Sequence, residues 1–385
     1  MRDHFLLFSP PSIGQEEIDE VVDTLKSQWI TTGPKTQRFA KEFMEFVHAP
    51  AALPLNSCTG ALHLALAATG IGSGDEVITT PMTFAASINV IEHVGAKPVL
   101  VDVEPDTLNI DPDQIRRAVT SRTKAILIVH YAGHPVELNR VMAVANEYQL
   151  TVIEDAAHAL PARYHGQFVG SSGNPTAFSF YATKNLTTAE GGMLTGTPEF
   201  VEKARVLSLH GMSRDAWQRY GKGGSWYYEI TMPGFKYNMT DIQAAMGLVQ
   251  LGKLRDFQAR RCQIVKLYNE AFSDIPALQV PTERNYVEHA WHLYVLRLNQ
   301  ESLTIGRDQF IEELRQRNIG SSVHFIPLHL HPYYRDKYGY QPEDFPVAYS
   351  NYQRLLSLPL HPKLTDDDVA DVIEAVCDVV RSHRR

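Results

Sequence analysis

Short apolar and β-branched runs recur along the first half of the chain, and segments with helical spacing separate them. The strand-like runs are Glu76–Thr80, Pro98–Val103, Ala125–His130, Thr151–Glu154 and Thr176–Phe180, and the helix-compatible segments between them include Ser87–Val94, Asp113–Val119 and Leu138–Tyr148. The first four runs begin 22 to 27 residues apart. Strands and helices that alternate at this spacing are typical of βαβ units. The pattern predicts an α/β fold with a mostly parallel central sheet flanked by helices.

Further elements are predicted on both sides of these units. Amphipathic spacing predicts helices at Gln15–Ser27, Thr36–Phe46, Arg307–Arg317 and from Asp241 to Leu254, and alternation predicts a strand at Ala290–Leu298. Ala61–Ala68 is apolar nearly all round, as in a buried helix. Thr365 and Asp368 resemble a capping box for the last helix. We expect a large domain over residues 1–250 and a smaller C-terminal α/β domain over residues 251–385.

Composition narrows the class of protein. The chain has 385 residues, of which 44% are hydrophobic and 21% charged, as in ordinary soluble proteins. Its net charge of -8 argues against general binding to nucleic acid or anionic membranes. The N-terminus lacks an apolar signal core, and polar residues interrupt the longest charge-free segment, Pro50–Gly74, so a cytoplasmic protein is expected. Cys58, Cys262 and Cys377 indicate neither a disulfide framework nor a zinc site.

Candidate chemistry lies just after the predicted strands, where ligands bind in parallel sheets. Lys184 follows the strand that ends at Phe180. A partly desolvated lysine there offers a neutral amine to carbonyl groups, although a solvated loop lysine is the common alternative. Asp155 follows another strand and is open to four roles: metal ligand, general base, partner of a ring cation, or cap of the next turn. Metal binding is the weakest of these, because Glu154 and Asp155 should point to opposite faces.

An anion site is predicted at the start of the helix that follows Asn56. Ser57 or Thr59 is a suitable N-cap, and free backbone N–H groups at a helix start attract phosphate, although an ordinary capped core helix is the alternative. Cys58 is better interpreted as a packing residue than as a nucleophile. The segment Met212–Asn238 mixes cations such as Arg214 with aromatic residues, which suits a nucleotide or diphosphate but also a plain exposed loop. The common dinucleotide and P-loop fingerprints are absent.

Together these parts indicate a site for pyridoxal 5'-phosphate (PLP). Such a site needs a lysine for covalent attachment and a buried carboxylate beside the pyridine nitrogen. It also needs a phosphate cradle and an aromatic ring that stacks on the pyridine. The candidates are Lys184, Asp155, Ser57–Thr59 with Ser179, and Phe84, in that order.

Five segments resemble a known family over nearly the whole chain. They are Trp29–Gly33, Asn56–Leu62, Val152–Ala159, Ser179–Gly192 and Pro233–Asp241. The chain resembles the DegT/DnrJ/StrS family of PLP-dependent nucleotide-sugar aminotransferases, which have aspartate aminotransferase fold type I. The resemblance implies a homodimer with shared active sites, L-glutamate as amino donor, 2-oxoglutarate as its product and pyridoxamine 5'-phosphate as the intermediate form of the cofactor.

The resemblance also implies residue roles. Lys184 would hold the cofactor and relay protons, Asp155 would pair with the pyridine nitrogen, and Phe84 would stack on the ring. His158 would lie beside Asp155 near the ring. The phosphate would be bound by Cys58, Thr59 and Ser179, with Asn238 from the neighbouring subunit, and the substrate residues would be Trp29, Thr32, Arg214 and His324.

Within the family, His210-Gly211 and Pro233–Asp241 are most similar to enzymes that aminate UDP-4-keto-pentoses, such as the aminotransferase that forms UDP-4-amino-4-deoxy-L-arabinose. Related 4-keto-hexose enzymes with dTDP or GDP share these features. Two alternatives remain: a PLP-dependent sugar dehydratase of the same family, and a non-catalytic PLP-binding regulatory protein. The dehydratases replace the lysine with histidine, so Lys184 favours the aminotransferase.

Overall fold

The computed structural model describes residues 3–213 and 227–385. Its helices are α1 (Gln15–Lys26), α2 (Pro34–Val47), α3 (Cys58–Thr69), α4 (Ala86–His93), α5 (Pro112–Ala118), α6 (Leu138–Tyr148), α7 (Pro198–Ser208), α8 (Asp241–Phe272), α9 (Arg307–Gln316), α10 (Pro332–Tyr338), α11 (Pro346–Tyr352) and α12 (Asp366–Ser382). Its strands are β1 (Ala51–Leu55), β2 (Glu76–Thr79), β3 (Lys97–Leu100), β4 (Thr123–Val129), β5 (Thr151–Asp155), β6 (Arg163–Tyr164), β7 (Gln167–Phe168), β8 (Thr176–Ser179), β9 (Gly192–Gly196), β10 (Leu278–Gln279), β11 (Val287–Glu288), β12 (Tyr294–Leu298) and β13 (Leu355–Leu358).

A seven-stranded sheet forms the centre of the molecule. Its strand order is β1-β9-β8-β5-β4-β2-β3. Strand β9 is antiparallel to both of its neighbours, while the other neighbouring pairs are parallel. The predicted mostly parallel sheet is therefore confirmed, and each of the five predicted strands is present within a few residues of its expected bounds.

Helices cover both faces of this sheet because its strands alternate their buried side chains between two cores. On β4 and β5, Leu127 and Ile153 belong to the core that contains α3. Ile126, Ile128 and Val152 belong to the opposite core, which contains α5 and α6. Strands buried on both faces are the reason that the sequence shows continuous apolar runs rather than alternation.

Helix α8 connects the central sheet to a second core. In its first half, Ala244 and Leu248 pack with α2 and the sheet. In its second half, Ile264 and Tyr268 pack with β10, β12, β13, α9 and α12. Thr240 caps the helix, since its hydroxyl accepts the Gln243 N–H at 3.3 Å. The expected boundary at residue 250 falls inside this helix, and the division into two domains stays a prediction.

The strand predicted at Ala290–Leu298 is shorter than expected and covers only Tyr294–Leu298. The backbone before it binds a neighbouring turn instead: the Ala290 N–H donates to Gly133 O at 2.9 Å, and the His292 N–H donates to Ala132 O at 3.1 Å. This detour brings His292 to the functional site described next. No helix in the described ranges is long and apolar enough to cross a membrane.

Candidate active site

A cavity of about 520 Å³ opens where the central parallel strands end. Eight of the twelve predicted site residues line it: Cys58, Thr59, Phe84, Asp155, His158, Ser179, Lys184 and His324. Asp155 is the last residue of β5 and Ser179 the last of β8. The cavity therefore lies at the carboxyl ends of the strands, where a parallel sheet is expected to bind its ligand.

The turn that carries Lys184 is tightly held. The Lys184 N–H donates to Tyr181 O at 2.9 Å. The next side chain, Asn185, is buried and donates to Leu160 O at 2.9 Å and to Ala290 O at 2.8 Å. Burial lowers the pKa of the Lys184 amine to about 8, while the charge of Asp155 opposes this shift. Lys184 is therefore not a freely solvated loop lysine, and a useful fraction of its amine is neutral near physiological pH.

Asp155 is a buried carboxylate that receives hydrogen bonds but forms no ion pair with the described residues. Its side chain is 5% exposed. Ser87 Oγ donates to Oδ2 at 2.8 Å, and the Ala157 N–H donates to Oδ1 at 3.1 Å. The carboxylate therefore caps the turn that follows it, which is one of the four roles considered for Asp155. Burial raises the pKa of Asp155, while these hydrogen bonds and the charge of Lys184 lower it. A carboxylate in this position suits a cationic ring nitrogen as partner.

The neighbouring Glu154 points to the opposite face of β5, as predicted. His130 Nε2 lies 3.0 Å from Glu154 Oε2, and both residues are buried. Ser172 Oγ donates to Glu154 Oε1 at 2.9 Å. Burial opposes ionisation of Glu154, but the bond with His130 holds its pKa below the ordinary value. The two adjacent carboxylates therefore lie in separate surroundings, and of these two only Asp155 lines the cavity.

The start of α3 forms another wall of the cavity. Ser57 is the N-cap, because its hydroxyl accepts the Gly60 N–H at 3.0 Å. Gly192 of β9 lies against it so closely that a Cβ there would be 2.5 Å from the carbonyl carbon of Ser57. Only glycine fits such an approach. The helix start, with Thr59 in its first turn, leaves backbone N–H groups available for a phosphate.

Cys58 fits the expected packing role rather than that of a nucleophile. Its side chain is buried, and its Sγ lies 3.6 Å from Ala177 O. Burial and the charge of Asp155 raise the pKa of the thiol well above its ordinary value, so the reactive thiolate is disfavoured.

Three imidazoles, those of His158, His292 and His324, also border the cavity. Burial lowers the pKa of His158 and His292 well below the ordinary value and that of His324 to about 4, so all three are neutral at physiological pH. The rings of His158 and His292 are 4.4 Å apart between centroids, and Phe325 stacks on His158 at 5.7 Å. The buried Nδ1 atom of His158 has no hydrogen-bond partner within the described residues.

Sequence reasoning missed His292, Ser87 and Thr83. His292 Nδ1 lies 3.2 Å from Asn185 Oδ1, beside the lysine turn. Ser87 is fully buried on α4, and Thr83 is 2% exposed. None of the three stands in a local pattern that distinguishes it from a core residue. Tertiary packing alone brings Thr83 and His292 to the cavity and Ser87 to Asp155.

Phe84 and the remaining predicted residues lie in different surroundings. Phe84 is 65% exposed at the cavity, 6.2 Å from the Phe325 ring, so one face is open to a flat ligand. Asn238 and the segment Trp29–Thr32 do not line the cavity. Asn238 Nδ2 donates to Thr32 Oγ1 at 2.7 Å, and Trp29 Nε1 donates to Thr32 O at 2.9 Å. Arg214 lies outside the described residues. The roles of these residues stay predictions.

The groups that line the cavity fit PLP. Three features are suited to a polar, anionic ring ligand. They are the Asp155 carboxylate, which accepts hydrogen bonds but forms no ion pair with the part of the chain that is described, the His158 Nδ1, which has no hydrogen-bond partner there, and the cradle beside Gly192. With Lys184 in the same cavity, the fold and the site define a PLP-dependent enzyme of fold type I.

Comparison with known proteins identifies the family. Residues 11–377 match the family model of the DegT/DnrJ/EryC1/StrS aminotransferase family, and the chain belongs to this family. It is 54% identical over 382 residues to the spore coat polysaccharide biosynthesis protein SpsC of Bacillus subtilis, covering 99% of this chain and 98% of SpsC.

Solved structures agree with this assignment. The putative sugar aminotransferase Spr1654 from Streptococcus pneumoniae in its PMP form is 39% identical with a TM-score of 0.92, covering 98% of this chain and 99% of that one. The same protein is also known in a PLP form. PseC of Helicobacter pylori, an aminotransferase in pseudoaminic acid biosynthesis, is 29% identical with a TM-score of 0.90, covering 99% of this chain and all of PseC (100%). The chain is therefore a PLP-dependent aminotransferase of a sugar aminotransferase family, which confirms the predicted family, enzyme class and cofactor.

Proposed function

We propose that this enzyme transfers an amino group from L-glutamate to the ketone of a nucleotide-linked 4-keto-sugar, and that it does so in the cytoplasm as a homodimer. The observation that carries the proposal is the joint presence of Lys184 and Asp155 in one cavity at the carboxyl ends of the parallel strands. The family membership and the names of SpsC and PseC, which concern polysaccharide and pseudoaminic acid biosynthesis, support a sugar acceptor.

The residues of the cavity have complementary proposed tasks. When bound, PLP withdraws electrons from the carbon next to the amino nitrogen and so makes its proton acidic. Asp155 keeps the ring nitrogen in its charged form, because its buried carboxylate forms no ion pair within residues 3–213 and 227–385. The first turn of α3, with Ser57 and Thr59, holds the phosphate. Lys184 attaches the cofactor and, once released, carries a proton on Nζ from one carbon to another.

The pKa of Lys184 suits its proposed task of carrying a proton from one carbon to another. A general base works best when its pKa lies near the working pH, because it then both accepts and returns a proton readily. Burial lowers the pKa of Lys184 to about 8. The neutral imidazoles of His158 and His324 add no positive charge beside it.

We also propose that the enzyme is a dimer in which Asn238 of one subunit contributes to the active site of the other. In one chain Asn238 bonds to Thr32 rather than facing the cavity, and the Lys236 amine in turn bonds to Asn238 Oδ1. The surface cluster of Trp29, Thr32 and Asn238 is then available to complete the cavity of a second subunit. Binding of the nucleotide portion would use Arg214 and this cluster.

The proposed function is tested with ¹⁵N-labelled L-glutamate and a panel of nucleotide keto-sugars that includes UDP-4-keto-pentose and dTDP- and GDP-linked 4-keto-hexoses. We expect the absorbance of bound PLP to fall with glutamate, 2-oxoglutarate to be released, and ¹⁵N to enter one sugar at the former ketone carbon. Mass spectrometry and NMR identify the product.

Lys184→Ala is the matched control and should release no 2-oxoglutarate. A product that has lost a hydroxyl group and gained no ¹⁵N would indicate the dehydratase alternative instead. Transfer of ¹⁵N only to free keto acids, with no nucleotide sugar accepted, would refute the proposed acceptor class.

A further inference from the structure

Two buried hydroxyl groups form a chain that ends on the carboxylate of Asp155. Ser87 Oγ lies 2.8 Å from Asp155 Oδ2, and Thr83 Oγ1 lies 2.8 Å from Ser87 Oγ. Ser87 is fully buried and Thr83 is 2% exposed. Both hydroxyl groups are thus largely shielded from bulk water, although Thr83 borders the cavity.

The direction of this chain follows from its end. An ionised carboxylate can only accept hydrogen bonds, so Ser87 donates its single hydroxyl proton to Asp155. Ser87 Oγ can then only accept from Thr83, whose hydroxyl must donate. Each hydroxyl therefore has one fixed orientation as long as Asp155 is ionised.

The carboxylate of Asp155 depends on such donors, because the hydrogen bonds around it lower its pKa more than the charge of Lys184 does. The groups that face it are Cys58 from α3, Lys184 from the turn, His130, which follows β4, and the Ala157 N–H. Burial raises the pKa of Asp155, and the hydrogen bond from Ser87 is the largest influence that opposes this rise. Loss of that bond would therefore favour the protonated acid.

We propose that Ser87 is a positioning residue of the transamination reaction, which acts through Asp155 on the ring nitrogen of the cofactor, and that Thr83 orients Ser87. The inference rests on the proposed role of Asp155 as partner of that nitrogen. A protonated or rotated Asp155 would no longer hold the nitrogen in its charged form, and the ring would withdraw electrons less effectively.

The first test measures Asp155 itself in the cofactor-free protein. Carboxyl-¹³C aspartate is incorporated, and the Asp155 signal is assigned by its absence in Asp155→Asn. We expect the Asp155 signal to titrate at higher pH in Ser87→Ala than in the wild type, with Ser87→Cys between them because a thiol is a weaker donor. An unchanged titration in Ser87→Ala would overturn the proposal.

The second test is a double-mutant cycle on the rate of the half-reaction with L-glutamate. Ser87→Ala should slow this step by about 10- to 100-fold, since a hydrogen bond to a charged group is lost. Thr83→Val should slow it by about 2- to 10-fold. Because Thr83 acts through Ser87, Thr83→Val should have little further effect in the Ser87→Ala background. If the effects of the two substitutions multiply, the proposed chain is refuted. Thr83, which also lines the cavity, would then act directly from there rather than through Ser87.

Controls separate this inference from a loss of folding and from a wrong role of Asp155. Ser208→Ala removes another buried serine, whose Oγ donates to Arg205 O at 2.7 Å on α7, away from the cavity. Ser208→Ala should leave the rate of the half-reaction unchanged. If it slows this step as much as Ser87→Ala does, the loss of any buried hydroxyl group is enough to explain the slowing, and Ser87 has no special role. If Asp155→Asn keeps the wild-type rate, the proposed role of Asp155 fails. If Asp155→Asn is slow while Ser87→Ala and Ser87→Cys are both fast, only the present inference fails.

Discussion

The lowered pKa of Lys184 gives a quantitative prediction for the cofactor-free protein. Burial reduces this pKa from an ordinary value of 10.5 to about 8. At pH 7 an amine with a pKa of about 8 is roughly one-tenth neutral, whereas one with a pKa of 10.5 is neutral in about one molecule in three thousand. Lys184 should therefore present about 300-fold more neutral amine at pH 7 than an ordinary lysine.

The assay is trace labelling of the folded, cofactor-free protein with an amine-specific reagent across a range of pH, with mass spectrometry of the peptide that contains Lys184. Only the neutral amine reacts. Labelling should rise about tenfold per pH unit below pH 8 and level off above it. In the urea-unfolded chain the same lysine should titrate near its ordinary value of 10.5.

A charge-neutralising variant tests the cause of the shift. The negative charge of Asp155 raises the pKa of Lys184 and so partly opposes the effect of burial. Asp155→Asn should consequently move the plateau to lower pH, provided that the variant stays folded. If labelling of the folded wild type continues to climb to pH 10, the amine is not desolvated and the reasoning fails.

Three further predictions concern the loaded enzyme. Lys184→Ala should abolish transamination and yet still bind pyridoxamine 5'-phosphate, as dialysis would measure; full turnover would contradict its role. Asp155→Asn should slow the glutamate half-reaction in stopped-flow measurements by about 10- to 100-fold, because about 1.5–3 kcal/mol of charged hydrogen bonding is lost, and wild-type rates would count against the ring-nitrogen role. Mixed Lys184→Ala and Asn238→Ala subunits should recover up to about a quarter of wild-type activity if sites are shared, whereas no recovery after verified exchange would remove the shared site.

Much of the central sheet was predictable because its parallel strands are buried on both faces. The segments Glu76–Thr79 and Thr123–Val129 are rich in apolar and β-branched residues, which gives a clear strand signal in the sequence. The edge strand β1 and its neighbour β9 were not predicted. β1 contains Pro54, and β9 begins with Gly192 and ends with Gly196, which are residues that normally weaken a strand.

The glycine at the start of β9 shows why local rules failed there. Any side chain at Gly192 would collide with the start of α3, whose Ser57 carbonyl carbon would be 2.5 Å from the added Cβ. The residue is required by a contact between segments more than a hundred positions apart in sequence. Local propensity cannot anticipate such a requirement, because it is set by tertiary packing.

The residues of the candidate site likewise divide into those that the sequence predicts and those that only tertiary packing brings together. Lys184 and Asp155 were found because each directly follows a recognisable strand, where ligands of parallel sheets bind. Ser87 and His292 were not found, because their importance comes from partners far along the chain. Ser87 meets Asp155 across 68 positions, and His292 meets Asn185 across 107. A buried serine or histidine in isolation has the composition of an ordinary core residue.

The electrostatics of the described cavity explain why two residues dominate its chemistry. His158, His292 and His324 line it, yet burial keeps their pKa values low and leaves them neutral. Each would otherwise place a positive charge near Lys184 and hold its pKa still lower. With these rings neutral, Lys184 and Asp155 set the charge deep in the cavity, and each shifts the pKa of the other toward its ionised form. A cofactor that takes up the amine and offers a ring cation to the carboxylate satisfies both groups at once, which neither could achieve with the other alone.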